Sequence, residues 1–544
     1  MQECKPLQLD WQATSKSGAV AAGGAEAVAA GLGILERDGN AADAAAATIF
    51  ALNVTDHGAC CIGGEVPLII SSAATRQVKV LAGQGGAPLS AAAIEWYMEN
   101  GIPTSDIKMA PVPAVVDLCI TTLQHYGSKS LEEVVAPTLA LLDMGREEWH
   151  PRLALTLRRM VEEEQLTCGS REEKLQAACD RFYGRNKERN DIAEELEAFY
   201  IEKGGFLRRR DLAAHRTRIE DPVMVNYRGY TVCKCGPWTQ GPYLGQALRL
   251  LEGFDLHSMG HLSADYVHVV AEAIKLAMAD RDAFYGDPNF VDVPMAALLS
   301  DAYTDMRRPL IDMQRASLEA RPGDPHNMKP LQENGVFRPG IGGTTTCVVA
   351  DRWGNVVAAT PSANVFGNEG GRAGVTFGNR LTSLNTTPGH PNCIQPGKLP
   401  RITLTPTLVL KDGSPILAIS VAGGDLQDQT TLNLLLDFVD FGMLPGEAVL
   451  APRFSTNHHQ DSFNPNPDRA QTFGRAGSLA INSSVGAQVR LELQQRGHEI
   501  KESGAPIGTP VMLYIEPQSG VYHAAGDPAT LRHAAGLAGG GDGE

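Results

Sequence analysis

The sequence predicts an α+β protein, and three observations carry this prediction. Most of the chain before position 343 follows a helical period, with Ala-rich and amphipathic stretches between short polar breaks. After position 344, short apolar runs alternate with Gly, Asn and Asp turns, which is typical of β-strands. The hydrophobic content of 43% and the charged content of 20% indicate a folded globular chain. We therefore expect a helix-rich first part and a β-rich second part.

Helices are expected wherever apolar residues recur at the helical spacing. Gly39-Asn40 ends one Ala-rich helix and another begins at Ala41, so these two helices are predicted to pack as a pair. Ser263 is suited to cap a long helix, because its hydroxyl can accept from the first backbone amides. Helical segments are predicted at residues 19–50, 113–215, 263–285 and 430–441.

Short apolar or β-branched runs between turn residues predict the strands. They are expected at residues 66–70, 77–82, 227–232, 347–350, 356–360, 403–410 and 416–421. Between residues 307 and 339 the periodicity ends and Pro, Gly, Asn and charged residues gather, which predicts a mobile segment. The Gly-rich tail at residues 539–543 predicts disorder.

The composition limits the partners of the chain. A net charge of -16 and a pI of about 5.4 argue against the positive face that nucleic acid binding needs, so no nucleic acid partner is expected. No run of about 18 apolar residues is present, so no membrane span is expected. The first residues, Met1 to Pro6, lack the basic and then apolar pattern of a secretory signal, and we expect a cytoplasmic location.

The sequence predicts no metal and no cofactor. The ten cysteines include no CxxC pair, so most of them are expected to be buried thiols. His57, His390 and the pair His458-His459 lack metal-ligand spacing, and HExxH is absent. A G-x-S-x-G nucleophile elbow is absent, and the glycines around Gly31 lie in a predicted helix rather than after a strand, which excludes a dinucleotide site there.

The stretch from Gly342 to Asn355 carries the strongest candidate chemistry. Two glycines lead into the hydroxyl residues Thr344-Thr345-Thr346, and a polar turn then bends the following apolar run back. Cleavage of the Gly343-Thr344 bond would place a new α-amino group beside the Thr344 hydroxyl. A hydroxyl with an amine base beside it is an activated nucleophile. The alternative from this stretch alone is a Thr-rich surface hairpin.

A series of short motifs runs along the chain in a specific order. Those before residue 343 are Asp38-Gly39-Asn40-Ala41-Ala42-Asp43-Ala44, Gly63-Gly64, Tyr227-Arg228-Gly229-Tyr230, Ala279-Asp280-Arg281 and Gly286-Asp287-Pro288. Those after it are Thr344-Thr345, Asp351-x-x-Gly354-Asn355, Lys411-Asp412-Gly413, Gly423-Gly424 and Ala451-Pro452-Arg453-Phe454. Over most of its length the chain thereby resembles the γ-glutamyltranspeptidase family of N-terminal-nucleophile hydrolases.

The resemblance implies a four-layer αββα sandwich within the α+β class. It implies one precursor that cuts itself between Gly343 and Thr344. The products would be a large, α-rich subunit of residues 1–343 and a small, β-rich subunit of residues 344–544, which remain one intertwined unit. We expect a heterodimer of these subunits, with a dimer of heterodimers left open, and a small-molecule amide substrate.

The resemblance also implies catalytic roles. Thr344 would form an acyl-enzyme with the substrate, with its own amino group as general base. The backbone amides of Gly423 and Gly424 match the family's oxyanion-binding glycines. Ser362 falls on a hydroxyl position that is thought to hydrogen-bond the nucleophile. The family usually has Thr there, and Ser supplies the same oxygen.

Two positions of the substrate pocket depart from the family pattern. The Arg that binds the α-carboxylate of a γ-glutamyl group falls on Gln84, and the Asp that binds the α-amino group falls near Ser383. Both charges are missing, which argues against a tight γ-glutamyl pocket. Asn364 and Thr403 are further substrate-binding candidates, although a strand Thr is buried for packing about as often.

Other motifs resemble a divergent branch of the family, which contains glutathione-hydrolase-like proenzymes and oxamate amidohydrolases. Arg380 is the candidate to bind a substrate carboxylate, because a guanidinium offers two parallel N–H donors. The alternative is an Arg paired with a neighbouring carboxylate such as Asp425. The motifs are Gly378-Asn379-Arg380, Pro388-Gly389-His390-Pro391-Asn392, Pro396-Gly397-Lys398 and Gly423-Gly424-Asp425-Leu426-Gln427-Asp428-Gln429.

Two classes of function remain open. The first is an autoprocessing amidohydrolase or acyltransferase of the γ-glutamyltransferase and glutathione hydrolase type, acting on an amide of a small, acidic substrate. A strict oxamate-type amidohydrolase without γ-glutamyl activity is a variant of this class. The second is a catalytically inactive binding relative, against which the intact Gly343-Thr344, Ser362 and Gly423-Gly424 set argues. The sequence has no signature for transfer to water or to an amine.

Overall fold

A computed structural model of the 544-residue chain describes residues 10–186, 188–330, 343–365 and 370–538. Within these ranges no helix is long and apolar enough to cross a membrane. The predicted disordered tail at 539–543 and the part of the predicted mobile segment at 331–339 lie outside the described residues.

Helices form two groups along the chain, one before and one after a run of three strands at residues 218–234. They are α1 (Ala25–Glu36), α2 (Ala41–Thr55), α3 (Ala91–Asn100), α4 (Val115–Tyr126), α5 (Leu131–Asp143), α6 (His150–Leu166), α7 (Arg171–Tyr183), α8 (Asp191–Glu202), α9 (Arg209–Ala214), α10 (Pro242–Leu251), α11 (Leu256–Met259), α12 (Ala264–Phe284), α13 (Met295–Leu298), α14 (Asp301–Arg307), α15 (Gln427–Val439), α16 (Pro445–Ala448) and α17 (Ala487–Gln495).

Strands come from both ends and from the middle of the chain. They are β1 (Gln12–Ser15), β2 (Gly18–Gly23), β3 (Val66–Ser72), β4 (Gln77–Gly83), β5 (Arg218–Glu220), β6 (Val223–Tyr227), β7 (Tyr230–Lys234), β8 (Gly323–Asp324), β9 (Lys329–Pro330), β10 (Cys347–Asp351), β11 (Val356–Ala359), β12 (Thr407–Lys411), β13 (Ser414–Ala422), β14 (Phe454–Ser455), β15 (Ser478–Asn482), β16 (Glu499–Ser503), β17 (Thr509–Ile515), β18 (Tyr522–Gly526) and β19 (Arg532–Gly536).

Two seven-stranded antiparallel sheets form the centre of the molecule. The first sheet has the order β19-β2-β10-β11-β3-β4-β5, and the second has the order β1-β18-β17-β13-β12-β7-β6. In the first sheet β10 lies between β2 and β11, with Cys347 opposite Ala22 on one side and Ala359 on the other. Each sheet therefore contains strands from before and after residue 343.

Three apolar clusters show how the layers stack. Alternate residues of β10 face opposite sides, with Val348 packing between the two sheets and Val349 packing against the helices outside the first sheet. Helices α1, α2 and α4 cover that outer face, and α10, α12 and α15 cover the outer face of the second sheet. The order of layers is helix, sheet, sheet, helix, so the predicted four-layer αββα sandwich is confirmed.

Several predicted elements are confirmed by the structure. Asn40 caps α2 by accepting from the amides of Ala42 and Asp43, and the Asp43 side chain accepts in return from the Asn40 amide. Asp43 also accepts from the backbone amides of Ser128 and Lys129, which holds the loop before α5 on this helix end. The motif around residues 38–44 is therefore a helix-capping device. Ser263 caps α12 as predicted.

The structure differs from the sequence prediction at several places. Residues 18–23 form β2 rather than the start of a helix, because small side chains fit a strand that is buried on both faces. Arg228 (φ 48°) and Gly229 (φ 81°) form a tight turn, so the predicted strand at 227–232 is the junction of β6 and β7. The strand predicted at 403–410 begins only at Thr407. The described part of the segment predicted to be mobile contains a single helical turn at Arg308–Leu310 and the β8–β9 pair.

Candidate active site

The hairpin of β10 and β11 places two hydroxyl residues opposite each other. Thr344 and Ser362 form an isolated antiparallel bridge just beyond the paired strands, and the Thr345 amide donates to the Pro361 carbonyl at 2.8 Å. The turn of this hairpin depends on Asp351, whose carboxylate accepts from the amides of Asn355 and of Ala41 at the start of α2. The Asp-x-x-Gly-Asn motif thus fixes the register that brings residues 344 and 362 together.

The carbonyl oxygen of Gly343 lies between these two hydroxyls. Ser362 Oγ donates to it at 2.5 Å, and Thr344 Oγ1 donates to it at 2.8 Å. The two hydroxyl oxygens are 3.3 Å apart. Thr344 is 6% exposed, so this arrangement is largely shielded from water. The candidate nucleophile, the candidate cleavage bond and the second hydroxyl therefore share one small site.

Gln427 closes the other side of the Thr344 hydroxyl, with its amide end 3.4 Å from Oγ1. The amide nitrogen reaches the carbonyl oxygens of Thr403 at 3.0 Å and Val421 at 3.2 Å when the amide oxygen faces Thr344. We assign this orientation because it satisfies both carbonyls. The Gln427 oxygen then faces the Thr344 hydroxyl, as a second acceptor to which its single proton can turn from the Gly343 carbonyl.

Arg380 is fully buried and its charge is neutralised by Glu65. Its Nε donates to Glu65 Oε1 at 2.6 Å, and its Nη2 donates to Ser362 Oγ at 2.8 Å. Burial raises the pKa of Glu65, and the neighbouring Arg380 opposes that rise. Of the two sequence alternatives, the paired arginine is the one observed, but its partner is Glu65. The prediction of Asp425 as partner is wrong, because Asp425 is bound to Arg281.

Gly423 and Gly424 form the turn between β13 and α15. Gly423 has φ 144° and ψ 23°, and Gly424 has φ 59°, so both lie where residues with a Cβ are disfavoured. Among the described residues neither amide N–H donates to a protein acceptor. Two adjacent free amides beside a buried hydroxyl site are suited to bind a developing oxyanion.

A buried ion pair holds the loop that follows these glycines. Arg281 Nη1 donates to Asp425 Oδ1 at 2.5 Å, and the Ser462 hydroxyl donates to the same carboxylate. Burial favours the neutral acid, but Arg281, His459, Arg401 and the Ser462 hydroxyl together outweigh it and hold the pKa of Asp425 well below its usual range. Next to Ser462, the ring of Phe463 lies 5.1 Å from the Arg380 guanidinium and packs near Gly424. Phe463 thus connects the glycine turn with the hydroxyl site.

The predicted substrate-binding residues occupy different surroundings. Gln84 is buried and donates to the Pro400 carbonyl at 2.5 Å, so it braces the segment before Thr403. Thr403 and Ser383 are buried, and their hydroxyls have no partner among the described residues. Asn364 follows Ser362 by two residues and has φ 50°. The side chains of Gln84, Ser383 and Thr403 have no described hydrogen bond with Thr344.

A cavity of about 340 Å³ opens beside the glycine turn. Its lining includes Gly423, Gly424, Phe463, Asp461 and Lys501. Burial and the nearby Asp425 raise the pKa of Asp461 to about 6. A leaving group could therefore depart past the oxyanion turn into a space that carries both an acidic and a basic side chain.

One histidine and carboxylate cluster lies in the described residues away from this site. The donor atoms of His268, Glu272 and His498 lie within 4.8 Å of one another. The Glu272 carboxylate already accepts from Lys275 at 2.6 Å, and His268 accepts or donates to His498 at 2.8 Å. Since the Lys275 ammonium group already pairs with the Glu272 carboxylate, the cluster is poorly suited to bind a cation.

Sequence reasoning missed the roles of Glu65, Gln427, Phe463 and Arg281. Glu65 follows the Gly63-Gly64 motif, and Arg281 and Gln427 lie within motifs that indicate the family but not the role of each residue. Their partners are distant in the chain, since Glu65 and Arg380 are 315 residues apart. A Glu directly after a glycine pair and an Arg directly after Gly378-Asn379 were the available signals, but the sequence does not pair them.

Comparisons with known proteins agree with this geometry. A model of the gamma-glutamyltranspeptidase family matches residues 27–176 and 148–537. The glutathione hydrolase proenzyme of Escherichia coli is 30% identical over 564 residues, which cover 95% of this chain and 91% of that protein. The acylase ACY 1 proenzyme of a Pseudomonas strain is 29% identical over 551 residues, covering 92% and 90%. The crystal structure of cephalosporin acylase from Bacillus halodurans has the same fold, with a TM-score of 0.80, 24% identity and 99% coverage of both chains.

Proposed function

Since this chain belongs to the gamma-glutamyltranspeptidase family, we propose that it is an autoprocessing amidohydrolase in which Thr344 is the nucleophile. The relatives that match it are named as glutathione hydrolases and acylases, which are hydrolases of amide bonds. The observation that carries the proposal is the hydroxyl of Thr344 lying on the Gly343 carbonyl group, with Ser362 on the same oxygen.

Self-cleavage is the first proposed step. The Thr344 Oγ1 attacks the Gly343 carbonyl carbon, the Gly343–Thr344 C–N bond breaks, and the hydroxyl proton ends on the leaving nitrogen. The resulting ester is hydrolysed by water, which returns the hydroxyl and leaves a carboxylate on Gly343. Thr344 then has a free α-amino group within reach of its own hydroxyl.

Amide hydrolysis is the second proposed step. The freed amine takes the proton from Thr344 Oγ1, which attacks the substrate carbonyl carbon. The same proton then passes to the leaving nitrogen, the substrate C–N bond breaks, and an ester and the amine product result. The amides of Gly423 and Gly424 hold the oxyanion in this step. Transfer of the acyl group to water regenerates the enzyme, and transfer to an amine is the acyltransferase variant.

We propose an amide of a small, acidic substrate as the reactant. Arg380 is neutralised by Glu65, so a second cation is needed to attract a carboxylate. Arg401 is buried and donates to the Ser462 hydroxyl at 3.0 Å, and among the described residues Asp282 and Asp425 act on it without forming a direct ion pair. Burial lowers the pKa of Arg401 to about 10. An anionic substrate group would supply a counter-charge in direct contact with Arg401.

A denaturing gel of the purified chain tests self-cleavage. The wild-type chain is expected to give fragments of 343 and 201 residues, since 544 minus 343 is 201. Thr344→Ala removes the attacking hydroxyl and is expected to stay whole, while Thr345→Ala is the matched control and is expected to cleave. A wild-type chain that remains whole after prolonged incubation, or Thr344→Ala chains that are cut at the same bond, would show the proposal to be wrong.

A substrate panel tests the reaction class. We expect turnover of one or more of γ-glutamyl anilide, glutathione, oxamate and neutral acyl amides by the cleaved protein. For an acidic substrate, Arg401→Gln is expected to raise KM about 10-fold or more, because a charge-assisted hydrogen bond is worth about 1.5–3 kcal/mol. A KM unchanged by Arg401→Gln removes this residue from the site, and a cleaved protein inert towards the whole panel favours the binding relative.

A further inference from the structure

We propose that Ser362 and Arg380 form the oxyanion site of self-cleavage, separate from the glycine amides that serve substrate hydrolysis. This inference rests on the proposed self-cleavage at Gly343-Thr344. It assigns Arg380 to the maturation of the enzyme rather than to the binding of a substrate carboxylate. Ser362 contacts the reacting carbonyl group, and Arg380 is a positioning residue that acts through it.

The direction of the hydrogen bonds follows from the donors. A guanidinium group can only donate, so the Ser362 oxygen accepts from Arg380 Nη2 at 2.8 Å. The single hydroxyl proton of Ser362 is then directed to the Gly343 carbonyl oxygen at 2.5 Å. Negative charge that develops on Gly343 O during attack is stabilised by this proton. The positive charge of Arg380 lies behind it, on the far side of the Ser362 oxygen.

Glu65 positions both Ser362 and Arg380. Its backbone amide and carbonyl exchange hydrogen bonds of 2.9 Å with Ser362, and its side chain binds Arg380 Nε at 2.6 Å. The guanidinium and the carboxylate are both 0% exposed. The pair therefore holds the Arg380 guanidinium, balanced by the Glu65 carboxylate, in a site shielded from water. There the guanidinium charge polarises the Ser362 hydroxyl with little screening.

The two glycine amides do not take part in this contact. The described donors to Gly343 O are the hydroxyls of Ser362 and Thr344, and neither Gly423 nor Gly424 donates to it. The charge on Gly343 O forms as the Thr344 Oγ1–carbon bond forms, and it is discharged when the carbon–nitrogen bond breaks. After cleavage the Gly343 carboxylate can leave, and the glycine amides remain free for the carbonyl oxygen of a substrate.

The experiment measures the rate of self-cleavage in full-length precursor made fresh and followed by denaturing gel and mass. Glu65→Gln with Arg380→Gln replaces the buried ion pair by two amides of similar shape, and Glu272→Gln with Lys275→Gln removes a matched buried pair on α12. We expect the first double variant to cleave about 10²–10³-fold more slowly than wild type, which is the usual effect of one lost oxyanion donor. The control double variant is expected to cleave at the wild-type rate.

A double-mutant cycle separates this role from a general loss of structure. Since Arg380 acts through Ser362, adding Ser362→Ala to the Glu65→Gln, Arg380→Gln chain should slow cleavage no further than Ser362→Ala alone. If the amide pair does not fold, Arg380→Lys keeps the charge but cannot reach both partners, and at least a tenfold slower cleavage is expected.

The outcomes distinguish the two proposals. A wild-type rate in the Glu65→Gln, Arg380→Gln or Arg380→Lys chain, or multiplicative effects in the cycle, overturns the role of Arg380 while leaving self-cleavage intact. A wild-type chain that never cleaves overturns both this inference and the proposed function.

Discussion

The backbone at Gly423 gives a sharp test of the oxyanion site. Gly423→Ala adds a methyl group at φ 144° and ψ 23°, a conformation outside the regions that residues with a Cβ adopt. The nearest atoms to that methyl would be Leu426 Cβ at 3.4 Å and Gly508 Cα at 3.5 Å, which is ordinary packing distance. The substitution therefore acts through the backbone dihedral angles and not through a collision.

The magnitude follows from that strain. Holding alanine in such a conformation costs about 1–3 kcal/mol, so the turn will relax and rotate the amides of residues 423 and 424. Loss of one correctly aimed oxyanion donor lowers kcat by about 10²–10³-fold. We expect this loss in amide hydrolysis while self-cleavage at Thr344 proceeds, because neither glycine amide contacts the Gly343 carbonyl.

Gly413→Ala is the matched control. Gly413 also has a positive φ, 78°, and a Cβ there would meet no atom within 4 Å. It lies in the turn between β12 and β13, where a lost left-handed glycine costs about 1–2 kcal/mol of stability. Both variants should lose comparable stability in chemical denaturation, and only Gly423→Ala should lose kcat on the substrate that the panel identifies.

Two results would refute the reasoning about the turn. A kcat for Gly423→Ala within about threefold of wild type would mean that the glycine amides do not bind the oxyanion. An equal fall of kcat in Gly413→Ala would mean that general destabilisation, and not the position of these amides, controls the rate.

The remaining predictions concern stability. The pKa of Asp461 is raised to about 6, so between about pH 4 and pH 6 the folded chain keeps a proton that the unfolded chain has lost. The contribution of Asp461 to stability should therefore fall by up to about 3 kcal/mol as the pH rises from about 4 to about 6. In urea titrations at pH 4 and 7, Asp461→Asn should gain stability relative to wild type at the higher pH by this amount; parallel pH curves would contradict the prediction. Asp43→Asn should destabilise by about 2–4 kcal/mol, because amides of residues 40, 128 and 129 donate to its carboxylate. The exposed Asp38→Asn is the control and should change stability by less than about 0.5 kcal/mol; equal midpoints would contradict the capping role.

Local chemistry made much of the fold predictable. The Gly39-Asn40 break, the Ser263 cap and the hydroxyl run after Gly343 each act through neighbours in the chain, and the structure confirms all three elements. The strand at 18–23 was not predictable in this way, since its Ala and Val residues have no strong β pattern and its conformation depends on β10 and β19 beside it.

In the candidate site, too, contacts between chain neighbours were predictable and contacts between distant residues were not. Thr344 and Ser362 are joined by a short hairpin, so their proximity follows from the turn between them. The partner of Arg380 could not be read in this way. Charge alone makes Asp425 a plausible partner. In the fold, however, Glu65, which directly precedes β3, pairs with Arg380, and Asp425 pairs with Arg281. Long-range pairing of buried charges depends on tertiary packing, which spacing in the sequence does not encode.

The mixed sheets have a consequence for the protein after a cut at residue 343. In the first sheet β10 and β11 are inserted between β2 and β3, and in the second β12 pairs with β7. Two chains produced by that cut would share both sheets, so neither could leave without breaking both of them. The cut would therefore leave the contacts between the two parts in place and would change only the connectivity of the chain. Such a nicked protein should melt in one transition, and separated chains should have no route back to the native topology except folding together.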